Sequence, residues 1–362
     1  MKILLIPEVS VSGGTGTFIR QLLEIHKKYG INTEVLLPKS LTESSIPAYI
    51  LKNGASLHLI KDRRPFQWIG YLSLVFEFFN YRKYIKQFKP DIIVCSTGTL
   101  GHNLFSFFCN YPLVYILHSY PKKVTLWEKP LFWIPRIFSN NSKIIYTVSQ
   151  FSKKMIEEHW SVDKKYIKVI YNNSSAVIGK KKKSVYRTIL TLGHVVHYKN
   201  PFLWIEIAKK VTAKYEDVEF IWLGEGELLE ECRMKILGHQ RIKFMGFDPE
   251  PAKYYKSAHL YLHPSKIESL GLSAIDALAY GIPCIISNAG GLPETVEDGL
   301  SGFVCELQDI SSYYNKIELL LNDDKLYDEM ARNAYFSAKE RFSIDKQMRQ
   351  IYSLYNSTIS SR

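Results

Sequence analysis

The sequence predicts an α/β protein built from two facing, doubly wound, Rossmann-like halves with mainly parallel sheets and a cleft between them. Three observations carry that expectation. Short apolar runs without polar alternation recur along the chain, as in parallel strands covered on both faces. Segments of helical period lie between these runs. The pattern of strand, glycine turn and helix also begins twice, once near residue 2 and again near residue 188, on either side of a small, polar, basic stretch. A length of 362 residues suits two domains of about 150 residues each. With 46% hydrophobic and 23% charged residues, the chain is neither disordered nor fibrous.

In order, Lys2 to Ile6 is the first strand, followed by the turn Ser12-Gly13-Gly14-Thr15-Gly16. A helix follows with Ile19, Leu22, Leu23 and His26 on one face, ending at Gly30. Strands are predicted at Glu34 to Leu37, Asp91 to Val94, Leu113 to Leu117, Ile144 to Val148 and Lys168 to Ile170. Residues 174–184 read as the linker. The second half has strands at Thr188 to Leu192, Glu219 to Leu223, Lys243 to Met245, Leu260 to Leu262 and Cys284 to Ile286. Asn200-Pro201 reads as a helix start, with a side-chain cap and proline in the first turn. Trp204, Ile205, Ala208 and Val211 share one face of that helix, and Ser311 to Tyr355 is helical in pattern. The expected domains are 1–175 and 185–340, with a helix over 341–362 packing back toward the first. Ligands of such sheets bind at the carboxyl ends of the strands.

Composition narrows the function. The cysteines Cys95, Cys109, Cys232, Cys284 and Cys305 form no C-x-x-C pair, so neither a zinc ribbon nor a redox dithiol motif is present. The apolar start Met1 to Pro7 is too short for a secretory leader, and the expected compartment is the cytoplasm with free thiols. No stretch is long and apolar enough to span a bilayer; Phe66 to Phe79 comes nearest but contains Gln67 and Glu77. The net charge of +12 is unevenly placed. Residues 1–175 hold 23 Lys and Arg against 11 Asp and Glu, 23 − 11 = +12, whereas residues 176–362 hold 24 of each. The first half therefore favours an anionic partner. Dispersed basic residues without a nucleic-acid module argue against nucleic acid. Absence of a D-x-D pair or a His ligand pattern argues against a metal, and no cofactor is expected.

The most informative segment runs from His263 to Pro283. A strand ends at His263, a loop carries Glu268, and a helix starts near Ser269 or Leu270 and stops at Gly281. Gly271 beside the helix start lets a ligand approach the bare amides, whose partial positive charge suits a phosphate. Asp276 lies about one turn beyond Leu272 in an otherwise apolar helix and needs a partner there.

This segment resembles the E-x7-E signature of the retaining glycosyltransferases of family 4, which have the GT-B fold. The resemblance covers almost the whole chain. Ser287 to Glu294, Asp298-Gly299 and Gly302 are similar to the stretch after the signature. Gly193-His194 with Lys199-Asn200 resembles the family's phosphate loop, and Gly13-Gly14 its N-terminal glycine turn. Thr147 to Gln150 and Ile170 to Asn173 resemble the end of its first domain. Two departures stand out: His194 where the family usually has Arg, and Asp276 in place of the second Glu. Arg grips a phosphate with a permanently charged fork, which His cannot do, and Asp shortens the carboxylate's reach by one methylene.

The resemblance implies transfer of a sugar from a nucleotide-sugar, UDP- or GDP-linked, to a glycan or lipid-linked acceptor, in cell-surface polysaccharide or glycolipid assembly. It implies catalytic roles for Glu268, Lys199 and His118. It implies donor binding by Gly13, Gly14, Gly193, His194, Gly246, Ser269, Leu270, Gly271, Leu272 and Asp276. Each has a plainer reading. Glu268 alone reads as a solvated loop acid, Lys199 as a surface lysine, Asp276 as the partner of a nearby Lys, His118 as a structural histidine, and Gly13-Gly14 as a simple turn. The run Phe66 to Lys89 is either a core helix with a basic end or an amphipathic helix on an anionic membrane surface, which places the protein peripherally on the inner face of the cell membrane. A non-catalytic binding partner and a GT-B-fold nucleotide-sugar epimerase stand as alternative functions.

Overall fold

A computed structural model describes residues 1–8, 14–39, 46–60, 70–98, 103–121, 129–174 and 185–362. The expected linker lies outside the described residues apart from Ser174, as do Gly13 and Phe66 to Ile69. The chain forms two compact units: residues 1–172 with 347–362, and residues 173–346.

The first unit begins with β1 (Lys2–Pro7), α1 (Gly14–Lys28), β2 (Asn32–Pro38), α2 (Ile46–Lys52), β3 (Ser56–Ile60) and α3 (Gly70–Phe88). It continues with β4 (Ile92–Thr97), a 3-10 turn at Leu104–Phe108, β5 (Leu113–Leu117), α4 (Lys129–Phe138), β6 (Lys143–Thr147), α5 (Gln150–Trp160) and β7 (Ile167–Val169). Its seven strands are all parallel in the order β3-β2-β1-β4-β5-β6-β7. Strands β1, β4 and β5 are buried almost throughout, which is why they read as unbroken apolar runs. The α1 face predicted from periodicity, Ile19, Leu22, Leu23 and His26, is buried. β3 was not legible in the sequence because it is a sheet edge whose residues are mostly half-exposed or exposed.

The second unit has β8 (Arg187–Leu192), α6 (Pro201–Lys214), β9 (Val218–Leu223), α7 (Leu229–Lys235), β10 (Ile242–Gly246), α8 (Ala252–Ser257) and β11 (Ala258–His263). α9 (Leu272–Ala279), β12 (Cys284–Ser287), β13 (Gly302–Cys305), α10 (Ile310–Asn322) and α11 (Asp324–Arg341) follow. Its sheet is again parallel, in the order β10-β9-β8-β11-β12-β13. Trp204, Trp222, Phe220 and Phe244 pack edge-to-face or stacked in its core. The last helix, α12 (Ile344–Ser360), belongs to the first unit from Gln347 onward. There Tyr355 meets the buried His26 at 3.3 Å, Tyr352 stacks on Tyr29, and Gln347 donates to Tyr146 and Asn172.

Two local expectations are corrected. Asn200 does not cap α6 with its side chain; its backbone is left-handed (φ 60°) and its amide donates to the Pro264 carbonyl instead. The helix expected from Ser269 or Leu270 begins at Leu272, because Gly271 takes a positive φ of 108° before it.

Candidate functional site

The second unit gathers its polar residues at the carboxyl ends of β8, β11 and β12. After β8 the chain turns at Gly193, whose carbonyl accepts from Trp222 Nε1 at 2.8 Å. A β-carbon at Gly224 would lie 2.1 Å from that carbonyl oxygen, so the turns after β8 and β9 approach closely only because Gly224 has no side chain. The 3-10 turn His197–Lys199 follows. Asn200 Nδ2 donates to Pro264 O at 3.1 Å and Lys266 N donates to Tyr198 O at 2.7 Å, lacing the loop after β8 to the loop after β11. Ser287 Oγ donates to Ser265 O at 2.5 Å, tying in β12.

This lacing brings Lys199 and Glu268 together as an ion pair, although 69 residues separate them. Their side chains are only 13% and 12% exposed, so Glu268 is no solvated loop acid and Lys199 no surface lysine. Glu268 Oε1 also accepts from His263 Nε2 and from Ser265 Oγ, each at 3.1 Å. Burial by itself would raise the Glu268 pKa, but the Lys199 charge and the His263 hydrogen bond overcome it and hold the carboxyl down to about 2. Burial pushes the His263 imidazole down, with Lys199 adding to it, so at neutral pH the ring is uncharged and donates through Nε2. Its Nδ1 is buried without a hydrogen-bond partner.

Directly after Glu268 comes the amino end of α9. A β-carbon on Gly271 would lie 2.5 Å from Leu292 Cδ1, and one on Gly290 would lie 2.3 Å from the Glu268 carbonyl oxygen. Gly291 N donates to that same carbonyl at 2.8 Å. The glycines thus let the loop after β12 close beneath Glu268. Gly271 O receives the amides of Ala274 and Ile275, while those of Leu272 and Ser273 precede the first intrahelical acceptor. Ser269 is half-buried and Leu270 buried. Asp276, half-buried on α9, accepts from Ser174 Oγ at 2.7 Å.

Gly193 lies against Lys199, with 3.5 Å from its would-be β-carbon to Nζ. His194 is exposed, with no side-chain hydrogen bond or ion pair among the described residues. Gly246 ends β10 and accepts from Gly224 N at 2.8 Å. Gly14 is the first residue of α1. His118 belongs to the first unit, at the carboxyl end of β5, where Nε2 meets Ser96 Oγ at 2.9 Å and the ring packs edge-on to Phe18. Burial lowers its pKa to about 4 against the opposing charge of Glu8, so it is neutral at pH 7. Glu8 itself accepts from Thr97 Oγ1 at 2.5 Å and Gly98 N at 3.1 Å.

Sequence reasoning missed His263, Ser265, Ser174 and Glu8 as parts of these clusters. For His263 and Glu8 a signal existed, since each sits where an apolar strand run meets its carboxyl end. Among the described residues no three His, Cys, Asp or Glu side chains group as a metal site.

Comparison with known proteins gives matches over both units. The family described as Glycosyltransferase Family 4 matches residues 12–172, and that described as Glycosyl transferases group 1 matches residues 173–336. The UDP-Gal:alpha-D-GlcNAc-diphosphoundecaprenol alpha-1,3-galactosyltransferase of Escherichia coli is 28% identical over 185 residues, 49% of this chain and 47% of that protein. The chain spans about half the length of the curated relatives it matches. A glycosyltransferase of Rickettsia africae has the same fold at a TM-score of 0.81, with 17% identity and 100% and 99% of the two chains covered. Anabaena HepE, solved with UDP and glucose, superposes at 0.74, with 19% identity and 98% and 99% covered.

Proposed function

The chain belongs to the family 4 type of glycosyltransferase, with the GT-B class of two parallel-sheet Rossmann-like domains, and from that premise we propose that it moves a sugar from a nucleotide-sugar to a glycan or lipid-linked saccharide, with retention at the anomeric carbon. The observation that carries the proposal is the buried cluster of Lys199, Glu268, His263 and Ser265 beside the amino end of α9. The difficult step is departure of a nucleoside diphosphate with developing negative charge. Lys199 and the amides of Leu272 and Ser273 supply positive potential for it without a metal, and the exposed His194 adds a hydrogen-bond donor. Glu268, fixed by three donors, accepts from hydroxyls of the donor sugar. Asp276, oriented by Ser174, takes the ribose hydroxyls. Gly193, Gly246, Ser269, Leu270 and Gly271 shape the pocket with backbone; His118, Gly13 and Gly14 are assigned to the donor as well, and the N-terminal domain to the acceptor.

The E. coli relative's name specifies UDP-galactose and a diphosphoundecaprenol acceptor, and HepE was solved with UDP, which favours a uridine donor and a lipid-diphosphate acceptor here. A role in cell-surface glycan assembly follows from that chemistry. Such an acceptor lies in a membrane, and among the described residues no helix is long and apolar enough to cross one. We propose a cytoplasmic protein held peripherally on an anionic membrane surface by its basic N-terminal half, whose net charge is +12.

A thermal-shift screen of the full chain against UDP-, GDP-, ADP- and CMP-sugars tests the donor, since a ligand that binds only the folded state raises the melting temperature. One class is expected to stabilise the protein and to release free nucleotide without acceptor, equally with and without EDTA. Stabilisation with no release over long incubation favours the non-catalytic reading. Activity lost in EDTA and restored by Mg²⁺ or Mn²⁺ overturns the metal-free site.

A further inference from the structure

Three adjoining elements of the first unit carry exposed apolar and cationic side chains. α3 joins the 3-10 turn Leu104–Phe108 through Tyr81 stacked on Phe105, with ring centroids 4.4 Å apart. α4 joins the same turn through Phe138, edge-on to Phe108 at 5.0 Å. From this row Phe79, Phe108, Trp133 and Ile137 stand in solvent, exposed to 60%, 44%, 56% and 66%. Surface apolar residues usually occur singly; here four large ones stand on three adjoining elements.

The cations follow the same spacing on both helices. On α3, Phe79, Arg82, Lys83 and Lys86 fall at i, i+3, i+4 and i+7. On α4, Trp133, Arg136 and Ile137 fall at i, i+3 and i+4. All four cations are exposed. They belong to a half of the chain whose net charge is +12, while the other half is neutral. An exposed tryptophan with Arg136 and Ile137 one turn along its helix, beside an element with a cationic stripe, suits the two layers of a bilayer surface: acyl boundary below, anionic headgroups above.

We infer that this face docks on an anionic lipid bilayer, with Trp133 and Ile137 entering the acyl boundary and Arg82, Lys83, Lys86 and Arg136 at the headgroup phosphates. The inference rests on the membrane contact proposed above and names the residues that make it. It gives α4 an inserting role and leaves the cationic stripe of α3 as its electrostatic partner. Because this patch lies on the first unit and none of its members belongs to the Lys199 cluster, changing it leaves the donor site of the second unit as it is.

The full chain is sedimented with vesicles of phosphatidylcholine and with vesicles containing phosphatidylglycerol. Wild type is expected on the anionic vesicles only, and less so at high salt. Trp133→Ser with Ile137→Ser should lower partitioning at least about tenfold, the scale of withdrawing one large apolar side chain from an apolar phase. Its melting temperature should not change, since both side chains are exposed. Arg82→Glu with Arg136→Glu should lower anionic binding too. Acyl-chain-brominated lipid should quench wild-type tryptophan fluorescence, and the Trp133→Phe variant should lose that quenching. Failure of wild type to bind overturns the membrane contact and this inference together. Wild-type binding that survives Trp133→Ser with Ile137→Ser overturns the assignment alone. A dimer in solution that the same double substitution dissociates, without vesicle binding, gives the face to a second copy and overturns the inference as well.

Discussion

Replacing Lys199 with methionine should destabilise the second unit through Glu268. The carboxyl is held from its ordinary 4.5 down to about 2, with burial opposing the shift and Lys199 first among the contributions that lower it. At ~1.4 kcal/mol for each tenfold change in proton affinity, that preference amounts to about 3 kcal/mol. Breaking a buried ion pair from one side costs a similar ~3–5 kcal/mol. The sign with pH follows. In wild type the folded carboxyl has the lower pKa, so its contribution is complete above about pH 4.5 and is lost as pH falls toward 2. In Lys199→Met, burial raises the carboxyl instead, and the variant should regain stability relative to wild type between pH 7 and pH 5 as Glu268 takes up a proton. Urea unfolding followed by far-UV circular dichroism at both pH values measures this. In Lys199→Met with Glu268→Gln, most of the loss should return, because no lone charge is left buried. Turnover should fall on the order of 10²-fold in Lys199→Met, as for loss of one preorganised contact to a leaving group. Equal urea midpoints for wild type and Lys199→Met, or a double variant whose loss is the sum of the single ones, would refute the coupling.

Gly290→Ala should disable the site, because its β-carbon would sit 2.3 Å from the Glu268 carbonyl; Gly299→Ala, also at positive φ but with nothing within 4 Å, should cost only about 1 kcal/mol and keep activity. Donor-hydrolysis rates and thermal melts of the two variants make the comparison. His26 is pushed by burial from 6.5 to about 3, so the unfolded chain takes up its proton first and stability should fall as pH drops from about 6.5 toward 3. His26→Gln should flatten that dependence in melts between pH 4.5 and 7.5. Asp276→Asn should raise the donor KM, since charge-assisted hydrogen bonds are roughly twice as strong as neutral ones. Asp276→Glu should be tolerated, and identical calorimetric affinities across the series would remove Asp276 from the site.

Much of the fold was legible because buried parallel strands leave unbroken apolar runs. Lys2 to Ile6, Leu113 to Leu117 and Glu219 to Leu223 could be read directly, and each became a strand. Of the sheet edges, β7 and β10 were read from the sequence, whereas β13 and the mostly half-exposed or exposed β3 were not. Local chemistry also misled at Asn200. Its side chain found the Pro264 carbonyl 64 residues away, and that long-range bond displaced the expected local cap.

By itself the sequence determined the fold class, the charge asymmetry, and which loops carry polar residues at strand ends, because these depend on residue type and on short-range period. Only the tertiary structure decided what those residues touch. Glu268 and Lys199 are 69 positions apart, and no period links them; the bonds Asn200–Pro264 and Lys266–Tyr198 set their distance. His263 was marked only as a strand end, and its bond to Glu268 appeared only in the folded chain. Exposure was equally invisible. Phe79, Phe108, Trp133 and Ile137 are apolar letters like those of any core, and packing left them outside. Burial is a property of the assembled surface rather than of the residue, so the tertiary structure alone could separate core from patch.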